Sequence, residues 1–308
     1  MLTVASLTRT QLETRLAGPG LFLQTGAFVS RIRSPLPQIA DGIALLYRDY
    51  PVHTADKEDA FADFHVRLRR SGGVRRWYRP QVHFDVDGLV PFEPLPEAHA
   101  FPMLEWALNW CISTRAHAYL MIHAAVVERD GLALMLPAPP GSGKSTLCAA
   151  LVSRGWRLLS DELALFRPHD GLLVPVPRPV SLKNRSIDVV RAFVPDAVLS
   201  RPVSNTTKGT VAHLKAPDDS VARARETARP AWIVFPKYEA GAVTELAPIP
   251  RARAFLRVAD NAFNYSQLGA LGFRTLAGVI ERCASFDFRY SDLDEAMAVF
   301  AALERPQP

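Results

Sequence analysis

Apolar and polar positions alternate in short runs through the first third of the chain. Phe64, Val66 and Leu68 interleave with polar residues, as do Val82, Phe84 and Val86, and each run has the two-residue period of a strand with one face inward. An Asp87-Gly88 turn then leads into Leu89-Val90. The period lengthens afterwards: Leu104, Leu108, Cys111 and Ile112 recur at helical spacing, which predicts an amphipathic helix over Phe101 to Thr114. From Tyr119, two nearly continuous apolar runs joined at Arg129-Asp130-Gly131 predict a hairpin whose second arm runs straight into "PAPPGSGKST". Helical spacing resumes from Lys144 to Ser153 and Gly155 closes it. "WRLLSDELALF" reads as one strand with an acidic pair inside it. A His169-Asp170-Gly171 turn leads into Leu172 to Val176, with prolines at 175, 177 and 179. "AWIVFPKY" and "VTELAPI" read as further strands, and Ser291 with Asp294 predicts the capped start of a last helix.

The change of pattern near Thr114 divides the chain into a small α+β domain over 1–115 and a larger α/β domain over 116–308. With 308 residues and 48% hydrophobic content, both can bury a core. The first residues lack the apolar run of a secretion signal, and no later stretch approaches the ~20 apolar residues of a membrane span. A cytoplasmic protein without a membrane partner is the expectation. Three widely separated cysteines, Cys111, Cys148 and Cys283, fit a reducing compartment and packing roles. A net charge of +5 suits nucleotides and acidic peptides but is short of a nucleic-acid signature.

The chemistry is concentrated between Leu136 and Phe166. Pro140, Gly141, Ser142, Gly143, Lys144, Ser145 and Thr146 form a phosphate-binding loop between an apolar strand and a helix. Glycines let backbone N–H groups approach the anion, Lys144 reaches the outer phosphates, Ser145 can ligate magnesium, and the helix presents its positive end. The full pattern has a glycine where this chain has Ala138. From Lys144 to Asp161 there is room for one helix of about three turns, a turn and a short strand, so Asp161 and Glu162 return to the loop's side. Phosphoryl transfer requires a magnesium bridge over the outer phosphates and an acceptor for the proton of the attacking hydroxyl, and two adjacent acids can divide those jobs.

The run from His123 through Phe166 resembles the catalytic core of the HPr serine kinase/phosphorylase family. The matching features are "IHAAV", "PGSGKST", "LVSRGWRLLSDE" and the loop-to-acid spacing. That family's fold is related to ATP-dependent phosphoenolpyruvate carboxykinase, so the resemblance implies a P-loop domain with a mixed sheet, here behind an N-terminal region unlike the family's usual first domain. It also implies Asp161 as the base toward the substrate hydroxyl, Glu162 with Ser145 on Mg2+, His123 near the phosphates, and self-association into a homo-oligomer. Glu162 stands where the family has aspartate, and strand geometry lets the two acids exchange roles. The family's glycine-rich substrate segment is replaced by "PRPVSLKNRSIDVV".

Substrate-facing candidates lie downstream. Arg178 and Lys183 follow the acids closely, and the hydroxyl-rich loop "SNTTKGTVAHLKAP" carries Lys208 and His213 and can close over the site. "RLRRSGGVRRWYRP" interleaves six arginines with Trp77 and Tyr78, and alternation favours a solvated rim of a hairpin, with docking of a partner protein as the alternative. The expected function is ATP-dependent transfer of the γ-phosphoryl group to a hydroxyl of a peptide, protein or small molecule. An ATPase or nucleotide-gated regulator, with Asp161 on magnesium and Glu162 activating water, is the alternative. A binding module without chemistry stays open, whereas carboxykinase chemistry lacks its metal-binding histidine and lysine clusters.

Overall fold

The computed structural model describes residues 2–53, 61–76 and 78–305. Before residue 116 it forms a six-stranded sheet in the order Val52–His53, Leu21–Thr25, Phe28–Arg33, Phe64–Arg70, Gln81–Val86 and Leu95–Pro96. All neighbours are antiparallel except Phe28–Arg33 with Phe64–Arg70. The alternation read in the sequence is the burial pattern: Phe64, Val66 and Leu68 face the core while His65, Arg67 and Arg69 face solvent. Asp87 and Gly88 both take positive φ in the turn, and Leu89 returns only an isolated bridge to Val86 instead of a strand. The helix Ala100–Arg115 is where spacing placed it. Of the arginine-rich hairpin, Arg70 pairs with Glu97 at 2.7 Å; Trp77 lies outside the described residues.

After residue 116 an eight-stranded mixed sheet follows. Its main path runs Leu173–Val174, Leu163–Phe166, Leu120–Arg129, Leu132–Pro137, Arg229–Tyr238, Ala284–Tyr290 and Glu245–Pro248, and Arg157–Ser160 also pairs with Leu120–Arg129. The strand leading into the phosphate loop is antiparallel to its hairpin partner and parallel to Arg229–Tyr238. Asp130 and Gly131, with φ of 56° and 79°, make the tight turn between the hairpin arms. Leu120, Ile122, Ala124 and Val126 pack with the helices Arg251–Asp260 and Ala270–Arg282, whereas Met121, Ala125 and Val127 pack on the opposite face, with the helix Lys144–Ser153. His123 belongs by strand parity to that second face, where the loop helix lies.

"WRLLSDELALF" is not one regular strand. It is two, Arg157–Ser160 and Leu163–Phe166, both paired with Leu120–Arg129 and interrupted at Asp161-Glu162. Val126 pairs with Ser160 and His123 with Leu163, so the acidic pair stands opposite Ala124 and Ala125 in unbroken register, and the Ala124 amide donates to Glu162 O at 3.2 Å; the one-residue shift lies just before, at Leu159. The extra residue at Leu159 re-phases the first strand against its partner, and the two acids occupy a bend between the two strands.

The segment read as a hydroxyl-rich loop is a hairpin, Val203–Thr206 with Gly209–Leu214, completed into a three-stranded sheet by Val180–Lys183. The last helix is Leu293–Ala301; its cap is Asp292, whose side chain accepts from Glu295 N, while Ser291 Oγ donates to Ala242 O. The N-terminal sheet's packing is continuous with the core beneath the loop helix. Tyr50 Oη donates to Pro177 O at 2.8 Å and Lys215 pairs with Asp49 at 2.6 Å across the junction. Among the described residues, no helix is long and apolar enough to cross a membrane.

Candidate active site

The phosphate loop leaves the sheet at Pro137 and enters its helix at Lys144. Gly141 and Gly143 take φ of 88° and 89°. A Cβ on Gly143 would stand 2.4 Å from Tyr290 Oη, so this position requires glycine for space as well as for conformation. Ala138 is buried and its φ is not positive, which is why alanine serves where the usual pattern has glycine. Two tyrosines that the sequence did not single out hold the loop: Tyr290 Oη donates to Gly143 O at 3.1 Å, and the Tyr238 amide donates to Ser142 O at 2.9 Å. They are register partners at the ends of adjacent parallel strands, a position where open α/β sheets place ligands. The first-turn amides of the loop helix have no intrahelical acceptor, and with the helix dipole they favour an anion.

Around that anion position the fold gathers five of the residues expected from sequence. Lys144 is buried, and its Nζ donates to His123 Nε2 at 2.9 Å. The same nitrogen lies 3.0 Å from Glu162 Oε2. One imidazole nitrogen either accepts from the ammonium or donates to the carboxylate, so the two contacts compete. On the neighbouring acid, Asp161 Oδ2 accepts from Ser145 Oγ and from the Ser181 amide, each at 3.1 Å. Asp161 Oδ1 is buried without a partner.

Environment separates the two acids. Burial, with the Glu162 charge second, pushes the Asp161 carboxyl up to about 7. Burial also acts to raise Glu162, but the His123 hydrogen bond and the Lys144, His123 and Lys183 charges outweigh it and hold that carboxyl well below the usual range. The two neighbouring acids are thus shifted in opposite directions, Asp161 up by burial and Glu162 down by the cations around it.

The four downstream candidates fare differently. Arg178 is not a free substrate group. Its guanidinium donates to Glu105 Oε2 at 2.6 Å, Glu105 O at 2.7 Å and Asn109 Oδ1 at 2.7 Å, all on the helix Ala100–Arg115. Tyr47 Oη completes the cluster by donating to Glu105 Oε1 at 2.6 Å. His213 is buried in a strand instead of riding on a loop, and burial lowers it to about 4, so the ring is neutral. Lys183 shares a strand face with Ser181, and Lys208 sits at the hairpin turn with its ammonium 4.9 Å from the centre of the Trp106 ring. Thr146 lies in the first helical turn and Pro140 in the loop. Trp106 and Ser181 border the acids without any local signal in the sequence that would have found them.

No protein-family profile matches the chain, and no curated protein matches it. Among solved structures it is similar to the one described as the HPr(Ser) kinase/phosphatase from Coxiella burnetii. The match is 12% identical, covers 59% of this chain and 91% of that one, and has a TM-score of 0.27. At those values the likeness is distant.

Proposed function

We propose that this chain is an ATP-dependent phosphotransferase that moves the γ-phosphoryl group of ATP to a hydroxyl. The observation that supports this best is the pairing of a phosphate loop with two unlike acids: Lys144 within reach of Glu162 through His123, and Ser145 bonded to Asp161. Lys144 and the loop amides bind the outer phosphates. The unpaired Asp161 Oδ1 takes the proton from the acceptor hydroxyl as its oxygen forms the new bond to phosphorus, the bond from phosphorus to the bridging oxygen breaks, and ADP leaves. His123, released from Lys144, donates to Glu162 and holds it.

Mg2+ fits these residues as an ion shared with the triphosphate. Among the described residues no group of three or more His, Cys, Asp or Glu could hold a metal alone, whereas magnesium usually takes one or two carboxylates plus phosphates and water. Ser145 and one of the two acids would hold it, and bound there it neutralises charge on the outer phosphates.

A second reading is ATP hydrolysis without an acceptor. The Ser145–Asp161 hydrogen bond favours it, since an aspartate in that position can serve the metal and leave Glu162 to orient water. Labelled ATP with and without hydroxyl acceptors separates the two: turnover that never responds to an acceptor supports hydrolysis and contradicts transfer.

A further inference from the structure

Beside the acids, between the helix Ala100–Arg115 and the strand Val180–Lys183, lies a small pocket of about 10 Å³, room for a single water-sized group. Four residues that line it each carry a buried polar atom without a partner: Trp106 Nε1, Asp161 Oδ1, Ser181 Oγ and His213 Nε2. Asp161, Ser181 and His213 are 4%, 7% and 1% exposed, so ordinary solvent does not satisfy them. Buried polar groups are almost always paired, and four orphans around one small space mark a place where a polar group belongs. Their chemistry suits a hydroxyl: the indole N–H donates to its oxygen, Asp161 accepts its proton, and Ser181 and the neutral His213 can serve either way.

The rim adds charge. Ser181 and His213 are cross-strand partners, and Lys183 lies two residues along the same face as Ser181. Lys208 covers the ring of Trp106, which lines the pocket. Among the described residues, the lysine ion pairs belong to Lys215 and Lys237, and neither Lys183 nor Lys208 has a carboxylate partner. Two unpaired ammonium groups beside a hydroxyl-sized hole recognise an anion that carries a hydroxyl.

We propose that the phosphoryl acceptor is a small hydroxy acid, its hydroxyl seated among Trp106, Asp161, Ser181 and His213 and its anionic group met by Lys183 and Lys208. This rests on the phosphotransferase reading. It assigns the N-terminal helix a part in acceptor selection, because Trp106 contributes both the N–H and the platform for Lys208. Transfer forms the bond from the hydroxyl oxygen to the γ-phosphorus, breaks the bond to the β-bridging oxygen, and leaves a phosphorylated acid, ADP and a proton on Asp161.

The test is ADP release by the full chain with MgATP and each of four probes: N-acetyl-L-serine and D-glycerate, which carry a carboxylate, against N-acetyl-L-serinamide and glycerol, which do not. The two acids are expected to accelerate ADP release and appear phosphorylated, and the neutral pair to do neither. Lys208→Gln should raise KM for N-acetyl-L-serine at least ten-fold more than it changes KM for MgATP. Trp106→Phe, which keeps the ring beneath Lys208 and removes the N–H, should lower kcat with the acids and leave their KM nearly unchanged. Equal stimulation by the neutral probes overturns the proposal and points to a serine within a peptide. ATP hydrolysis that depends on Asp161 but responds to none of the four overturns it in favour of a water in the pocket. If MgATP does not bind at all, or Lys144→Ala turns over normally, the phosphotransferase reading itself fails.

Discussion

Arg178 and Asp161 border the same small pocket, yet their surroundings are opposites. Arg178 sits in a buried cluster where Tyr47, Glu105 and Asn109 absorb its N–H groups, and Glu105 has both carboxylate oxygens engaged. Asp161 is as deeply buried, has one oxygen satisfied and one without a partner, and stands next to a second acid. Charges that hold a fold together are paired to completion, because an unpaired buried charge is costly. Charges kept for a ligand are left incomplete, and the missing partners outline what is to be bound. Arg178 therefore clamps the N-terminal helix to the strand beside the acids, whereas Asp161 keeps an oxygen without a partner.

That contrast breaks if the two residues prove interchangeable in effect. Asp161→Asn preserves shape and removes the base, so transfer should fall by about 10²–10⁴-fold while MgATP affinity changes only a few-fold, as read by single-turnover kinetics and titration calorimetry. Comparable loss of binding would move Asp161 to the metal. Glu105→Ala should do the reverse. It strands the Arg178 guanidinium in the interior and costs about 3–5 kcal/mol in urea unfolding, with the chemical step impaired only as far as the fold is lost. Gly143→Ala sharpens the account at the loop: its Cβ collides with Tyr290 Oη, and nucleotide affinity should drop by about ten-fold or more in a calorimetric titration while the protein stays folded.

The smallest expected effect concerns pH. The folded protein keeps a proton on Asp161 up to about 7, whereas an unfolded chain releases it near the ordinary aspartate value. Between those limits the native state holds more protons, so this group's contribution to stability is present at low pH and is lost as pH rises through about 7. Asparagine has no such dependence. Thermal melts from pH 5 to pH 8 should show Asp161→Asn gaining on the unsubstituted protein as pH rises, and parallel curves would mean that Asp161 is not raised.

Local pattern made much of this legible. The hairpin into the loop, the loop helix and the helix Ala100–Arg115 all have periodicity that survives into the structure because their burial is one-sided or complete. His123, Lys144, Ser145, Asp161 and Glu162 were named from the chain and meet in space. What stayed hidden depends on residues far apart. The register shift at Leu159 and the bend at Asp161-Glu162 show only against Leu120–Arg129, and without that partner the segment looks like an uninterrupted strand. Arg178 resembled a free cation because its acid, Glu105, lies on a distant helix. His213 belongs to a strand whose last four residues, Val211 to Leu214, are all buried, so no two-residue alternation marks it among the surrounding hydroxyl residues.

The central claim is that the loop places a nucleotide's outermost phosphate against these two acids. A crystal structure with magnesium and a non-hydrolysable ATP analogue tests it most directly. The account predicts that Lys144 Nζ leaves His123 for the γ-phosphate, that His123 then bonds only Glu162, and that Mg2+ sits on Ser145 with an acid oxygen beside it. An analogue bound elsewhere, or one whose γ-phosphate points away from Asp161 and Glu162 while Lys144 keeps its hold on His123, would contradict it.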